Sequence, residues 1–126
     1  MTNHWNHGTF FWNELMTHDV PRAKDFYAKA IGWDFQEMPM EEGMYWLIKQ
    51  DEQTVGGIFE MKGAHFDNVP DHWMNYLAVD DVDTRIKQAR GADIIRPPFD
   101  IEGVGRIAIL KDPGGAIIGW ITPAAR

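Results

Sequence analysis

The hydrophobic pattern in the first half of the chain predicts one strand, one helix and three further strands. Residues 9–17 are rich in aromatic and β-prone side chains and predict a strand. Asp19 is then a predicted helix N-cap, and apolar residues follow at helical spacing. Gly32 is predicted to end the helix, because glycine readily takes the left-handed backbone conformation found there. Further strands are predicted at 34–40, 44–50 and 54–61, with turns at Glu42-Gly43 and at 51–53. Together these elements make one β-α-β-β-β unit.

The second half repeats this order after a polar linker, residues 62–71, that contains Pro70. A strand is predicted at 72–79, and Asp80 or Asp81 is predicted to cap a helix that ends near Gly91. The remaining predicted elements are a short strand at 93–96 broken by Pro97-Pro98, a strand at 106–110, a tight turn at 112–115 and a last strand at 116–122. We therefore expect one domain, residues 1–126, with module 1 at about 8–61 and module 2 at about 72–123.

A single sequence offset, the one that carries Asn13 onto Asn75, aligns the two halves in one register. We call it the repeat offset. The predicted cap, helix and closing strand of one half all fall on their counterparts in the other. The identities in this register are Asn13 with Asn75, Leu15 with Leu77, Asp19 with Asp81, Val20 with Val82, and Gly57 with Gly119. These identities are few, so the agreement of elements is the stronger sign of an internal repeat.

Composition narrows the classes of function. The net charge of −7, with no basic stripe, argues against binding to nucleic acid. The chain has no apolar run of about 18 residues and no basic-then-apolar start, so we expect no membrane span and no secretory signal. The absence of cysteine excludes disulfides and cysteine-based zinc sites and fits a cytoplasmic protein. Six tryptophans indicate either a large aromatic core or a ligand pocket.

Several motifs resemble those of the vicinal oxygen chelate (VOC) superfamily, which includes glyoxalase I, extradiol dioxygenases and bleomycin-resistance proteins. The motifs are Glu14–Asp19 running into Ala23–Tyr27, Gly32-Trp33, Ala78–Asp83, Gly103–Arg106 and Asp112–Gly115. Within the superfamily, the chain most resembles the small bacterial glyoxalase-like proteins. The resemblance implies an α+β fold in which two βαβββ modules form a curved mixed sheet, a cup with helices outside. It also implies a homodimer.

The resemblance places the four metal-ligand positions of the metal-dependent members on Trp12, Gly57, Met74 and Gly119. Divalent metal ions in such sites need nitrogen or oxygen donors. An indole, a thioether and two glycines offer no such set, so we expect a protein without a bound metal and without a cofactor. The two glycines either leave room for a ligand or, like the neighbouring Gly56, ease a strand bend or a close approach of the backbone.

Strand alternation indicates which side chains share a face with those positions. Arg106 is included on the condition that Ile107 and Ile109 face a helix. The predicted ligand-binding residues are Phe10, Trp12, Glu14, Phe59, His72, Met74, Tyr76 and Arg106. Glu14 and His72 are the candidate general bases, because carboxylate and imidazole groups can move protons near neutral pH. Structural roles stay open for all of them. The aromatic residues and Met74 could pack in the core, and Glu14 and Arg106 could form an ion pair. His72 could lie at the edge of the cup with its hydrogen bonds already made within the protein.

Three functions remain at this point. The first is a metal-free cup that binds a small, partly aromatic or apolar organic molecule, as bleomycin-resistance proteins do by sequestration. The second is a metal-independent lyase, isomerase or hydrolase that uses Glu14 or His72 as the base and Arg106 to hold an oxyanion. The third is a metal-dependent glyoxalase-type or dioxygenase-type enzyme whose ligands are displaced from the family positions.

Overall fold

The computed structural model describes residues 5–40 and 43–124, so the predicted turn residue Glu42 lies outside the described residues. Eight strands and two α-helices are found in this part of the chain. In chain order they are β1 (Phe10–Thr17), α1 (Val20–Ala30), β2 (Asp34–Met40), β3 (Gly43–Gln50), β4 (Gln53–Glu60), β5 (His72–Ala78), α2 (Val82–Lys87), β6 (Asp93–Ile101), β7 (Gly105–Lys111) and β8 (Ile117–Pro123). A short 3₁₀ helix, Ala64–Phe66, lies between β4 and β5.

The first module has the strand order β2-β3-β4-β1. β1 pairs with β4 in parallel, with Glu14 opposite Gly57, and the other neighbours are antiparallel. The Asp19 side chain caps α1 by accepting a hydrogen bond from the backbone N of Arg22 at 3.1 Å. The helix packs on one side of the sheet over a core of Leu15, Val20, Ile48 and Ile58.

The second module repeats this arrangement with the order β5-β8-β7-β6. β5 pairs with β8 in parallel, and Tyr76 lies opposite Gly119, so the repeat offset carries the Glu14–Gly57 pair onto this one. Asp81 is the cap of α2 and accepts from the backbone N of Thr84 at 3.2 Å. The core under α2 consists of Val79, Val82 and Ala108. The internal repeat predicted from the sequence is therefore confirmed at the level of strand register.

β6 departs from its prediction. The expected break at Pro97-Pro98 is wrong, because β6 continues through both prolines to Ile101. The ladder to β7 shifts its register between Ile94 and Arg96 and again between Arg96 and Phe99. β6 stands at the end of the strand order, where one side of the backbone needs no ladder hydrogen bond. An edge strand with bulges is the place where a sheet tolerates proline.

Contacts divide the chain into two compact units whose boundaries also obey the repeat. One unit is Asn13–Met74, and the other combines Trp12 and the residues before it with Asn75 and those after it. The repeat offset carries the first boundary onto the second, so each unit contains the first residues of the other module's opening strand. Within the second unit, Gly8 N donates to the Ala78 carbonyl at 2.7 Å and Ala78 N donates to the Thr9 carbonyl at 2.8 Å.

The fold class is α+β, with two βαβββ modules, mixed parallel and antiparallel pairing, and a helix on one side of each module's sheet. This is the fold class that the sequence predicted. Neither described helix is long and apolar enough to cross a membrane.

Candidate functional site

Each module has a sheet face that carries no helix, and we call it the open face. In the first module, Leu15 and Ile58 pack toward α1, so the residues that alternate with them point the other way. The register places the open-face residues in two rows across the strands. The first row contains Glu14, Gly57 and Leu47, and the second contains Met16, Phe59 and Tyr45.

Tyr45 fills the space that Gly57 leaves on this face. A Cβ built on Gly57 would overlap the hydroxyl and ring of Tyr45. The tyrosine is therefore laid over the glycine, and its hydroxyl lies above a residue directly opposite Glu14. At Gly57 the space is therefore occupied by a side chain of the protein itself, and not by a close approach of backbone.

The second module has the same arrangement with a different tyrosine. Its open face holds Tyr76, Gly119 and Ile109 in one row and Ala78, Ile121 and Ile107 in the next. A Cβ on Gly119 would lie 2.5 Å from both Cδ2 and Cε2 of Tyr76. Tyr76 is 9% exposed, so its ring is a packed part of this face. Both glycines at the family's metal-ligand positions are thus covered by tyrosine rings.

Arg106 lies on the other side of the second module. Ile107 and Ile109 are on the open face and Ala108 packs in the core under α2, so the condition on which Arg106 was expected to face a ligand is wrong. Its Nε donates to Asp83 of α2 at 2.6 Å, and its Nη1 lies 3.1 Å from Asp100. Hydrogen bonds to these carboxylates raise the pKa of Arg106, and the hydrogen bond from Arg106 lowers the pKa of Asp83. Arg106 is the centre of an ion-pair cluster.

The arginine on the open face is Arg96, which sequence reasoning missed. It lies opposite Ile109, and its guanidinium carbon is 3.6 Å from the centroid of the Phe99 ring. Phe99 lies opposite Ile107, on the same face. The prediction ended a strand at residue 96, so only a strand continued through Pro97-Pro98 would have indicated this placement.

His72 lines a groove of about 540 Å³ beside α1, within the first unit. Its Nδ1 is 2.9 Å from the Pro70 carbonyl oxygen. The apolar lining consists of Leu15, Ala23, Phe26, Tyr27 and Trp73, and the polar lining consists of Thr17, His18, Asp19, Arg22 and Asp71. Trp73 Nε1 donates to the Tyr27 hydroxyl at 3.3 Å, and the rings of both meet Trp33. The groove therefore places His72 among the aromatic side chains of the helix side.

Asp71 is the centre of the polar network in this groove. It accepts from the Thr17 hydroxyl at 2.5 Å and from the backbone N of His18 at 3.0 Å. Burial raises the pKa of Asp71, but these two hydrogen bonds, together with electrostatic interactions with His18 and His72, outweigh it and the net shift is downward. Thr17 is 1% exposed and its oxygen also accepts from the Asp19 backbone N at 3.1 Å. The network ties the end of β1 to the start of β5.

The other predicted residues fall in both units. Phe10 and Trp12 belong to the second unit, where Phe10 is 68% exposed and Trp12 half-buried. Glu14, Phe59 and Met74 belong to the first; Met74 is 6% exposed, and the Phe59 ring lies 6.0 Å from that of Phe66. The structure brings Glu14 and Phe59 onto one open face and places Tyr76 on the other.

Comparisons with known proteins identify the family. The model of the bleomycin resistance protein-like N-terminal family matches residues 9–44. A protein of Mycobacterium tuberculosis, CFP32, which carries a provisional glyoxylase name, is 39% identical over 120 residues that make up 93% of this chain and 45% of that protein. A solved structure of methylmalonyl-CoA epimerase from Streptomyces coelicolor, in complex with 2-nitronate-propionyl-CoA, superposes with a TM-score of 0.68 at 17% identity, covering 95% of this chain and 100% of that one. The chain belongs to the vicinal oxygen chelate superfamily.

Another relative of this VOC protein is the anthracycline biosynthesis protein DnrV of Streptomyces peucetius, 29% identical over 83% of this chain and 43% of that protein. The chain therefore spans about half the length of the curated relatives it matches.

The residues at the family's ligand positions do not fit a metal ion. Trp12 and Met74 offer no nitrogen or oxygen donor of the required kind, and Gly57 and Gly119 have no side chain. Tyrosine rings cover both glycines. Within residues 5–40 and 43–124, no group of three or more histidine, aspartate or glutamate side chains is placed to hold an ion elsewhere.

Proposed function

We propose that this VOC protein binds a small, partly aromatic or apolar organic molecule without a metal ion. The observation that carries the proposal is the pair of tyrosine rings, Tyr45 over Gly57 and Tyr76 over Gly119. Each ring puts an aromatic group and a phenol hydroxyl on the open face of its own module, over a glycine at a position where the family resemblance places a metal ligand. A ligand held there would be recognised by stacking and by a few polar groups, as in most small-molecule sites.

The open face of the first module offers the matching chemistry. Met16, Phe59 and Tyr45 form one row of thioether and aromatic surface. Glu14 stands in the adjacent row, the neighbour of Met16 on the same strand face. Apolar surface beside a single carboxylate suits a molecule with a flat apolar body and a hydrogen-bond donor. The names of two relatives, which concern a glyoxylase and anthracycline biosynthesis, both fit work on small organic molecules.

A thermal-shift screen of small metabolites and drugs tests the proposal, because a molecule that binds only the folded state raises the melting temperature. Hits should raise Tm in the unmodified protein and lose at least half of that shift in Tyr45→Ala or Tyr76→Ala. Phe26→Ala is the matched control, since it removes an aromatic ring that is 60% exposed on α1. Metal analysis accompanies the screen: stoichiometric zinc, nickel, manganese or iron after growth in metal-rich medium would overturn the metal-free part of the proposal.

A metal-independent enzyme is the second candidate, favoured by the glyoxylase name of CFP32. Glu14 and His72 remain its proposed general bases. Arg106 is not carried forward as an oxyanion donor, because Asp83 and Asp100 occupy its guanidinium. On this hypothesis His72→Ala and Glu14→Gln lower the turnover rate and leave ligand affinity unchanged. Equal losses of binding and turnover would remove the support for catalysis, and turnover abolished by a chelator would favour the metal-dependent alternative.

We also propose that the protein acts as a homodimer in the cytoplasm, and does not bind membranes or nucleic acid. The curated relatives are about twice as long as this chain, so two copies would supply a comparable amount of structure. Sedimentation velocity at micromolar concentration should show a dimer; a monomer at all concentrations would contradict it.

A further inference from the structure

The open face of the second module carries Arg96 in a defined position. Lys111, which alternates with Ile107 and Ile109 on β7, shares this face at the end of the strand, opposite Ile117. The guanidinium carbon of Arg96 lies 3.6 Å from the Phe99 ring centroid, which is stacking distance. Stacking on an aromatic face fixes the plane of a guanidinium and leaves its N–H donors directed outward along its edge. Arg96 itself is exposed and Phe99 is half-buried, so the ring forms a platform under an accessible cation.

Within the part of the chain that the structure describes, Arg96 forms no ion pair, although the chain is rich in carboxylates. The protein has 19 acidic and 12 basic residues. Arg22, Arg85 and Arg106 are each paired with aspartate. For Arg96, no acidic side chain lies within ion-pair distance among residues 5–40 and 43–124, and its guanidinium contacts the Phe99 ring instead. In a chain of net charge −7, its donors are available to an anion from outside.

The sheet register places Arg96 at the end of an apolar row. Arg96 lies opposite Ile109, Ile109 opposite Gly119, and Gly119 opposite Tyr76. Adjacent strands are about 4.8 Å apart, so the Cα of Arg96 is about 10 Å from that of Gly119 along this row. This span corresponds to a molecule of one or two fused rings that lies on Ile109 and reaches toward Gly119.

We propose that Arg96 binds the carboxylate of a planar organic acid whose apolar ring lies on this row. Arginine can hold a carboxylate through two parallel N–H···O bonds, and the Phe99 ring orients the guanidinium before the ligand arrives. This inference rests on the proposed small-molecule function and names the class of its ligand. It also gives the two modules different binding chemistry, because the open face of the first module carries the carboxylate of Glu14.

The test uses matched probes that differ only in charge: 2-naphthoate against 2-naphthamide, and salicylate against salicylamide. Binding to the intact protein is followed by titration of the Arg96 Nε–H signal in ¹⁵N NMR, together with the backbone signals of Ile109 and Gly119. Each acid should bind roughly tenfold more tightly than its amide, which is the scale of one charge-assisted bidentate contact. Arg96→Gln should abolish this preference, Arg96→Lys should keep part of it, and Phe99→Leu should reduce it. Arg90→Gln is the control and should leave it unchanged.

Equal affinity of acid and amide, or an acid preference that survives Arg96→Gln, would overturn the inference while leaving the binding proposal intact. Perturbation of signals outside this face would also overturn it. If neither member of any pair shifts the Arg96 signal at millimolar concentration, the inference fails, and the binding proposal is then judged by the wider thermal-shift screen alone.

Discussion

Gly119→Ala should strain the second module through one contact, that with Tyr76. The new methyl carbon would lie 2.5 Å from two ring carbons, whereas ordinary van der Waals contact begins near 3.4 Å. The ring must therefore move by about 1 Å or rotate away from its preferred side-chain conformation. It cannot do this freely, because Tyr76 is 9% exposed and neighbours enclose it.

The expected destabilisation is about 1–2 kcal/mol, because overpacking a well-packed site costs about 1–3 kcal/mol. Replacing glycine by alanine restricts the unfolded chain and returns about 0.5–1 kcal/mol of stability where the backbone allows it. The backbone of Gly119 is extended strand, so the steric term should dominate.

A double-mutant cycle with Tyr76→Ala isolates this contact. Tyr76→Ala alone should cost about 3–5 kcal/mol, as removal of a buried aromatic ring does. In that background, Gly119→Ala should be neutral or slightly stabilising, because no ring opposes the methyl group. The free energy of unfolding is measured by urea denaturation with tryptophan fluorescence, and an unchanged slope against urea confirms that the transition itself is preserved.

The cycle has a control and a clear refutation. Gly114→Ala, in the turn before β8, meets no atom closer than the Asp112 carboxylate at 3.6 Å. It should change the free energy of unfolding by at most about 0.5 kcal/mol, the scale of an ordinary surface substitution. If Gly119→Ala destabilises the Tyr76→Ala protein as strongly as the unmodified one, the glycine is required for a reason other than the tyrosine ring. The role assigned to the covered glycines would then be wrong.

Two further predictions concern polar contacts. A hydrogen bond from Arg85 lowers the pKa of Asp80 from 3.8 to about 2, so the stability that this carboxylate contributes is present above pH 3.8 and is lost as the pH falls toward 2. Arg85→Gln should flatten the fall in unfolding free energy over that window, whereas Lys29→Gln should not, and identical acid profiles would contradict this. Thr17→Val should destabilise the fold by about 1.5–3 kcal/mol in urea denaturation, because it leaves the Asp71 carboxylate without its hydroxyl donor. Thr17→Ser keeps the hydroxyl and should lose less; equal losses would show that the hydrogen bond is unimportant.

The sequence predicted the two modules because their signals are local. Asp19 and Asp81 cap the helices as expected, and Gly32 ends α1 with a φ of 91°. Each of these helix-end signals depends on a few neighbouring residues. The repeat offset then matches the elements of one module to those of the other. The parallel pairing of Glu14 with Gly57 and of Tyr76 with Gly119 follows the same register.

The candidate site was predicted less well because it depends on side-chain direction over several strands. One of the two register shifts beside Arg96 lies at the prolines that were expected to end the strand, so the placement of Arg96 was missed. Arg106 was expected on this face on the condition that Ile107 and Ile109 face a helix, which they do not. Tyr45 was not considered, since nothing in the spacing shows that its ring covers Gly57, a residue on another strand. Alternation identifies a face, but rotamers decide what fills it.

The boundaries at Trp12 and Asn75 have a consequence for dissecting the protein. Cutting the chain in the linker at residues 62–71 would separate each half from a few residues that complete the other half's compact unit. Neither fragment alone would therefore be a finished fold, and each would present an unfilled place for a strand start. Mixing the two fragments should restore a native-like species, because each fragment then supplies the residues that the other lacks.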